Sequence, residues 1–126
     1  MICAHAAFRP PYAGPLMASA QLDIESHVQD IAGVVRVRGE IDLDTIEQLV
    51  DAISAVTPPG GEVEIDLCGV GFIDSAGIAG LNRCRRQALE VGTEVVVVCV
   101  EDGPVAKLLH WTGLERVIDV RFTPSA

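Results

Sequence analysis

Apolar and charged residues alternate in two stretches of the chain, and this pattern predicts two strands. Over residues 34–41, Val35 and Val37 are followed by arginines, and over residues 62–67 the sequence EVEIDL repeats the alternation. A period of two is typical of a strand with one face buried and the other in water. The pattern therefore predicts a sheet that is covered on one side.

Three other segments also have the character of strands. The run Val95–Val100 is apolar at every position, as expected of a strand that is covered on both faces. Shorter apolar patterns predict a first strand at 22–28 and a last strand at 117–120, with a turn at 30–33. The chain is thus predicted to contain five strands.

Helical spacing appears between these strands. The first helix is expected to begin at Asp44, because Glu47 three residues later resembles a capping box. Its apolar residues share one helical face, at Ile46, Leu49, Val50 and Ile53. A second helix is predicted from Ser75 to Val91, followed by Gly92 in a left-handed turn.

The third helix is predicted to follow Asp102. Pro104 lies in its first turn, where a missing N–H costs nothing, and Gly113 is expected to end it. Its predicted apolar face consists of Val105, Leu108, Leu109 and Trp111.

The resulting order of elements is β-β-α-β-α-β-α-β, which defines an α/β fold with a mostly parallel sheet. Right-handed crossovers between successive parallel strands place the helices chiefly on one face of such a sheet. If strands two to five are neighbours in chain order, Asp42 and Asp74 follow adjacent strand ends. An acidic edge is therefore expected there.

Composition limits the classes of function. With 126 residues, of which 49% are hydrophobic, the chain has material for one core. A formal net charge of -9 opposes direct binding of nucleic acid and attraction to anionic lipid. The longest apolar run is much shorter than the ~20 residues of a membrane span, so no membrane insertion is expected.

Residues 1–20 show neither helical nor strand periodicity. They include Pro10, Pro11 and Pro15, and we expect a flexible N-terminal tail ahead of a domain at 21–126. Met17 is the simplest hypothesis for the natural start of the protein. The alternative is that the upstream residues form a short partner-binding arm.

The four cysteines are widely spaced, and no C-x-x-C or His/Cys cluster indicates a metal site. Cys68 and Cys99 lie near the ends of strands that are expected to be neighbours. They are therefore a hypothetical redox pair, provided that their side chains share a face of the sheet.

Asp74, Ser75, Ala76 and Gly77 join the third strand to the second helix. Ser75 falls at the helix N-terminus, where unpaired N–H groups and the helix dipole favour a phosphate. The serine hydroxyl can therefore be a helix cap or a phosphate acceptor. The residue pattern alone leaves both roles open.

The sequence D-S-A-G-I at 74–78 resembles the phosphorylation loop of STAS-domain anti-sigma-factor antagonists, whose motif is D-S-x-G followed by an apolar residue. Two further stretches are similar to that family: Gly39-Glu40-Ile41-Asp42 at the end of strand two, and the last helix with its turn at 107–114. The resemblance covers about residues 22–120.

The resemblance implies a bacterial, cytoplasmic protein that acts by binding and is not an enzyme, with no cofactor and no metal. Its partner would be an anti-sigma factor, often a serine-kinase-type ATPase, and a phosphatase would remove phosphate from Ser75. The implied partner-binding residues are Asp42, Asp74, Ser75, Ala76, Gly77 and Ile78. The alternative is a STAS subunit of a lipid or solute ABC transport complex.

Overall fold

A computed structural model describes residues 22–125 of the chain, and it confirms the predicted order of strands and helices. The predictions for residues 1–20 lie outside the described residues. The elements are β1 (Asp23–Gln29), β2 (Ala32–Ile41), α1 (Ile46–Ala55), β3 (Glu62–Ile73), α2 (Ser75–Glu90), β4 (Glu94–Val100), α3 (Pro104–Thr112), a 3-10 turn (Leu114–Arg116) and β5 (Asp119–Thr123).

The five strands form one sheet in the order β1-β2-β3-β4-β5. β1 runs antiparallel to β2, because the two are joined by a tight turn in which Asp30 has a positive φ of 56°. Every later pair is parallel and is connected through a helix. The structure is therefore the mostly parallel α/β fold that the sequence predicted.

The core lies between one face of the sheet and the helices. Alternate strand residues such as Val35, Ile65 and Val97 pack in a single cluster with Leu49 of α1 and Leu81 of α2. The alternation read from the sequence thus marks the face that the helices cover. Gly92 and Gly113 end α2 and α3 with positive φ values of 73° and 77°, as predicted.

The opposite face of the sheet is charged, and one arginine covers its centre. Arg121 of β5 pairs with Glu62 and Glu64 of β3, with N···O distances of 3.6 and 3.7 Å. Because β4 lies between β5 and β3, the arginine stem must cross β4 to reach them. Long cationic side chains commonly cover apolar surface in this way, which explains why Val96 is only 1% exposed.

The predicted N-cap of α1, Asp44, is wrong by one residue. The helix begins at Ile46 with Thr45 as its N-cap residue, and no side chain makes a capping hydrogen bond there. The capping box fails because Glu47 points across to α2, where its Oε2 atom pairs with Arg83 Nη2 at 2.6 Å.

Two predictions near the C-terminus are also wrong. Trp111 was expected in the core but is 84% exposed. It follows Leu109 by only two residues, which places it on the opposite side of α3. The last strand begins at Asp119 because the 3-10 turn at Leu114–Arg116 leaves Val117 outside the sheet.

Candidate functional site

The carboxyl ends of β2 and β3 lie side by side. Ile41 pairs with Ile73, and the backbone N–H of Asp74 donates to the Ile41 carbonyl oxygen over 3.2 Å. Asp42 and Asp74 therefore follow neighbouring strand ends, as the sequence predicted.

Asp74 is the N-cap of α2. Its Oδ1 atom accepts hydrogen bonds from the backbone N–H groups of Ala76 and Gly77, over 3.0 and 3.1 Å. The N–H of Ile78 donates to the Asp74 carbonyl oxygen, which begins the helical ladder. Within residues 22–125, the N–H of Ser75 is the one at this helix end that has no acceptor. One carboxylate thus takes most of the donors that the helix offers.

Ser75 is the first residue of α2 and is exposed. Its hydroxyl makes no hydrogen bond to any residue in the described range. Of the two roles that the sequence left open, capping therefore belongs to Asp74 and not to Ser75. The serine oxygen is free and points from the start of the helix into solvent.

Asp42 organises the turn that precedes α1. Its Oδ1 atom accepts hydrogen bonds from the N–H groups of Asp44 and Thr45, over 3.0 and 3.2 Å. The Thr45 hydroxyl donates to the Glu40 carbonyl oxygen over 2.8 Å and accepts from the Asp42 N–H over 3.0 Å. Asp42 is therefore a structural residue of this turn, and it remains half-buried beside the strand ends.

Gly77 allows α2 to pack closely on the two strand ends. A Cβ atom at this position would lie 2.7 Å from Ile73 Cγ1 and 2.8 Å from Ile41 Cγ2, closer than side-chain carbons can approach. Gly77 and Ile78 are both buried. Of the predicted partner-binding residues, these two support the site from beneath, whereas Asp42, Asp74 and Ala76 are half-buried at its surface.

Two large apolar side chains at this edge were missed by sequence reasoning. Leu43, which follows Asp42, is 77% exposed, and Phe72, which precedes Ile73, is 45% exposed. Phe72 was hidden because strict alternation after Val70 would have directed it inward. The register shift between Gly39 and Glu40 of β2 changes that alternation. The available signal was the pair Phe72 and Ile73, since consecutive residues of a strand cannot both point to the core.

The two cysteines of the hypothetical redox pair are free thiols, and their side chains lie on opposite faces of the sheet. Cys68 alternates with the buried Leu67 and lies on the charged face of the sheet, where its Sγ atom is 3.5 Å from Thr123 Oγ1. Cys99 lies in the core on the helix face. Burial, with a smaller contribution from the charge of Cys68, raises the pKa of the Cys99 thiol to about 11.

Among residues 22–125, no group of three His, Cys, Asp or Glu side chains is arranged to hold a metal ion. No helix in that range is both long enough and apolar enough to cross a membrane. Ser75, whose exposed hydroxyl lies beside two acidic turns, is therefore the residue here that is available to react.

The fold and this edge define a small α/β domain that presents one unbonded serine beside two carboxylates. The chain belongs to the STAS domain family, since the family model described as "Mlab, STAS domain" matches residues 24–120. The resemblance inferred from the D-S-A-G-I motif is thereby confirmed.

Relatives of this chain include anti-sigma-factor antagonists. The chain is 30% identical to an anti-sigma factor antagonist from Mycobacterium paratuberculosis, over 82% of this chain and 88% of that one, with a TM-score of 0.71. It is 27% identical to the anti-sigma-B factor antagonist of Staphylococcus aureus, over 79% of this chain and 92% of that protein. The fold is also that of the Bacillus cell fate determinant SpoIIAA in its phosphorylated form, which is 21% identical over 79% of this chain and 90% of that one, with a TM-score of 0.57.

Proposed function

We propose that this protein is an anti-sigma-factor antagonist that binds an anti-sigma factor of the serine-kinase type, and that phosphorylation of Ser75 releases the partner. The relatives in Mycobacterium paratuberculosis and Staphylococcus aureus carry the same functional description. SpoIIAA, which shares the fold, exists in unphosphorylated and phosphorylated forms. A phosphatase would restore the binding form.

The observation that carries the proposal is that Asp74 caps the helix, which leaves the exposed Ser75 hydroxyl unbonded. A kinase needs a hydroxyl that is accessible and not committed to the fold. Ser75 meets both conditions, because it is exposed and Asp74 makes the capping hydrogen bonds in its place. Transfer of the γ-phosphoryl group from ATP to Ser75 Oγ would thus leave the helix end intact.

The same arrangement determines what the phosphate does. A phosphoserine carries a charge of about -1.5 to -2 near neutral pH. Because Asp74 already occupies two N–H groups of α2, the helix end has little left to neutralise that charge. The phosphate would therefore project its charge outward, next to the carboxylates of Asp74 and Asp42. A partner that fits the neutral serine would then bind more weakly. The phosphate would repel acidic groups of the partner, and it would have to lose its water in the complex.

Leu43 and Phe72 supply the apolar part of the proposed contact. Phe72 is the last residue but one of β3, and Leu43 lies in the turn after β2. Their side chains are 45% and 77% exposed. A few well-packed anchor residues at the centre of an interface usually contribute most of its affinity. The partner would then contact this apolar pair, which gives affinity, beside Ser75, whose phosphorylation would lower that affinity.

The decisive test maps the phosphate. The full chain is incubated with ATP and a kinase-type anti-sigma factor encoded by the same genome, and phosphopeptides are identified by mass spectrometry. We expect phosphate on Ser75 and none in the Ser75→Ala variant. Phosphate on another residue, with Ser75 unmodified, would contradict the proposed switch.

Binding titrations with the same anti-sigma factor test the consequence. Ser75→Ala should bind as wild type does, whereas Ser75→Glu should bind at least about tenfold more weakly, which corresponds to roughly 1.4 kcal/mol. Ser54→Glu is the matched control, because Ser54 is also an exposed helical serine but lies at the far end of α1. Equal weakening by both glutamates would show that only net charge matters and not this edge.

The family description favours a second candidate function, since it names Mlab. In that case the domain would be a STAS subunit of a lipid or solute ABC transport complex and would dock on its ATPase. Binding titrations against that ATPase and against the anti-sigma factor separate the two functions. Tight binding to the transport ATPase that Ser75→Glu does not weaken would favour the transport role.

A further inference from the structure

A groove lies between α3 and β5, the last strand of the sheet. Its volume is about 420 Å³, and Trp111 and Phe122 form its apolar part. Both rings are unusually open, with Trp111 84% and Phe122 51% exposed. Two exposed aromatic rings that line one groove make this groove a candidate binding surface.

The rim of the groove is acidic overall. Glu101, Asp102 and Glu115 line it together with one lysine, Lys107, and one histidine, His110. His110 Nδ1 lies 2.7 Å from Glu115 Oε2, so that pair is already satisfied. Glu101 and Asp102 make no ion pair with any residue in the described range. An occupant with a cation and flat apolar groups would match this surface.

The chain contains such a sequence outside the described residues. The segment Phe8-Arg9-Pro10-Pro11-Tyr12 combines two aromatic rings, two prolines and the only basic Lys or Arg residue among positions 1–21. Proline-rich segments bind aromatic-lined grooves at low entropic cost, because their extended backbone is preformed. Arginine additionally interacts well with the face of tryptophan.

The connection is long enough. Leu22 precedes Asp23, which pairs with Arg38 near the carboxyl end of β2, and Glu101 directly follows the carboxyl end of β4. Both ends therefore lie toward the same edge of the sheet. The outermost strands are four spacings apart, or about 19 Å. The nine residues 13–21 can span up to about 30 Å when extended.

We propose that Phe8–Tyr12 binds the groove of Trp111 and Phe122 in the same molecule. Arg9 lies against Trp111 and the carboxylates of Glu101 and Asp102, and the prolines and the flanking rings cover the aromatic surface. The residues upstream of Met17 are then an arm that covers the groove between α3 and β5.

The chain provides its own probe, since Tyr12 is its single tyrosine and Trp111 its single tryptophan. Energy transfer from Tyr12 to Trp111 is measured in the full-length protein from the excitation spectrum of tryptophan emission, with quenching of Trp111 by iodide measured in parallel. Docking should give strong transfer and should roughly halve iodide quenching relative to an undocked variant, because a stacked ligand covers one of the two indole faces. Both effects should weaken as salt rises, since the contact is partly electrostatic.

Arg9→Gln is the undocking variant, and Ser19→Glu is its control, because each lowers the net charge by one. Arg9→Gln should reduce the transfer and expose Trp111, while Ser19→Glu should leave both unchanged. Equal transfer and equal quenching in wild type and Arg9→Gln would overturn the proposal. Transfer that falls on dilution would overturn it as well, because it would place the segment in the groove of a second copy.

Discussion

The turn from β2 into α1 and the turn from β3 into α2 share one hydrogen-bond pattern at an aspartate. They differ in whether their hydroxyl group is bonded within the fold. In each turn an aspartate that follows the strand end accepts hydrogen bonds from two backbone N–H groups through Oδ1, Asp42 in the first turn and Asp74 in the second. Each turn also carries a hydroxyl residue at the start of its helix, Thr45 or Ser75. The carboxylates are equivalent, whereas the hydroxyls are not.

Thr45 is 0% exposed, and its hydroxyl bonds to Glu40 and Asp42. Ser75 is exposed, and its hydroxyl bonds to no described residue. A buried polar group must be hydrogen-bonded to be tolerated, whereas an exposed one is satisfied by water and is free to react. Of the two similar turns at one edge of the sheet, one thus has a hydroxyl that the fold uses, and the other has a hydroxyl that is available for the proposed phosphorylation.

The largest effect on stability is expected at the buried hydroxyl. Thr45→Val keeps the shape but leaves the Glu40 carbonyl and the Asp42 N–H without their partner, at a cost of about 1–3 kcal/mol. Thr45→Ser, which keeps the hydroxyl, is the control and should lose only the smaller contribution of a methyl group. Denaturant unfolding measures both. If the valine variant were as stable as the serine variant, the hydroxyl bonds would not be what stabilises this turn.

A smaller effect is expected at the second aspartate. Asp74→Ala removes the acceptor for Ala76 and Gly77 and should lower the free energy of unfolding by about 0.5–2 kcal/mol. Asp74→Asn keeps an acceptor oxygen and should retain most of that stability. An asparagine variant as unstable as the alanine variant would mean that the carboxylate acts through its charge on the helix dipole and not through the cap.

Asp74→Asn also tests how the switch works. It removes the carboxylate charge beside Ser75 while keeping the helix end. If repulsion from this edge contributes to release, Ser75→Glu should weaken anti-sigma-factor binding less in the Asp74→Asn background than in the wild-type background. A double-mutant cycle on the binding free energies measures the coupling. Zero coupling would show that the partner alone senses the phosphate.

Periodicity predicted the parts of the fold that depend on one face being buried. Ile46, Leu49, Val50 and Ile53 all point to the core, and the alternation in β2 and β3 identified the covered face. The helix after Ser75 and the glycine at its end were also correct. These features follow from spacing alone, because the backbone geometry of a regular helix or strand repeats from residue to residue.

Predictions failed where the chain leaves regular geometry. Asp42 accepts hydrogen bonds from Asp44 and Thr45 just before α1, and Glu47 pairs with Arg83. The capping box predicted at Asp44 therefore does not form. Phe72 is turned outward by the register shift that skips Gly71, and strict alternation does not predict this shift. At the site, Ser75 and Asp74 were predictable from their motif. Which of them caps the helix was not, because either side chain could reach the same N–H groups.

The smallest effect on stability is expected at Ser75. Ser75→Ala removes a hydroxyl that bonds to water, and alanine is the better helix former, so the free energy of unfolding should stay within about 0.5 kcal/mol of wild type. The same variant should lose all phosphate at this position when it is incubated with the kinase and ATP. Thermal or denaturant unfolding, with Asp74→Ala measured alongside, makes the comparison direct. A loss as large as that of Asp74→Ala would mean that the serine hydroxyl contributes to the cap, and the contrast between the two turns would then disappear. An unchanged stability combined with lost phosphorylation would show that the second turn carries a hydroxyl which the fold does not need.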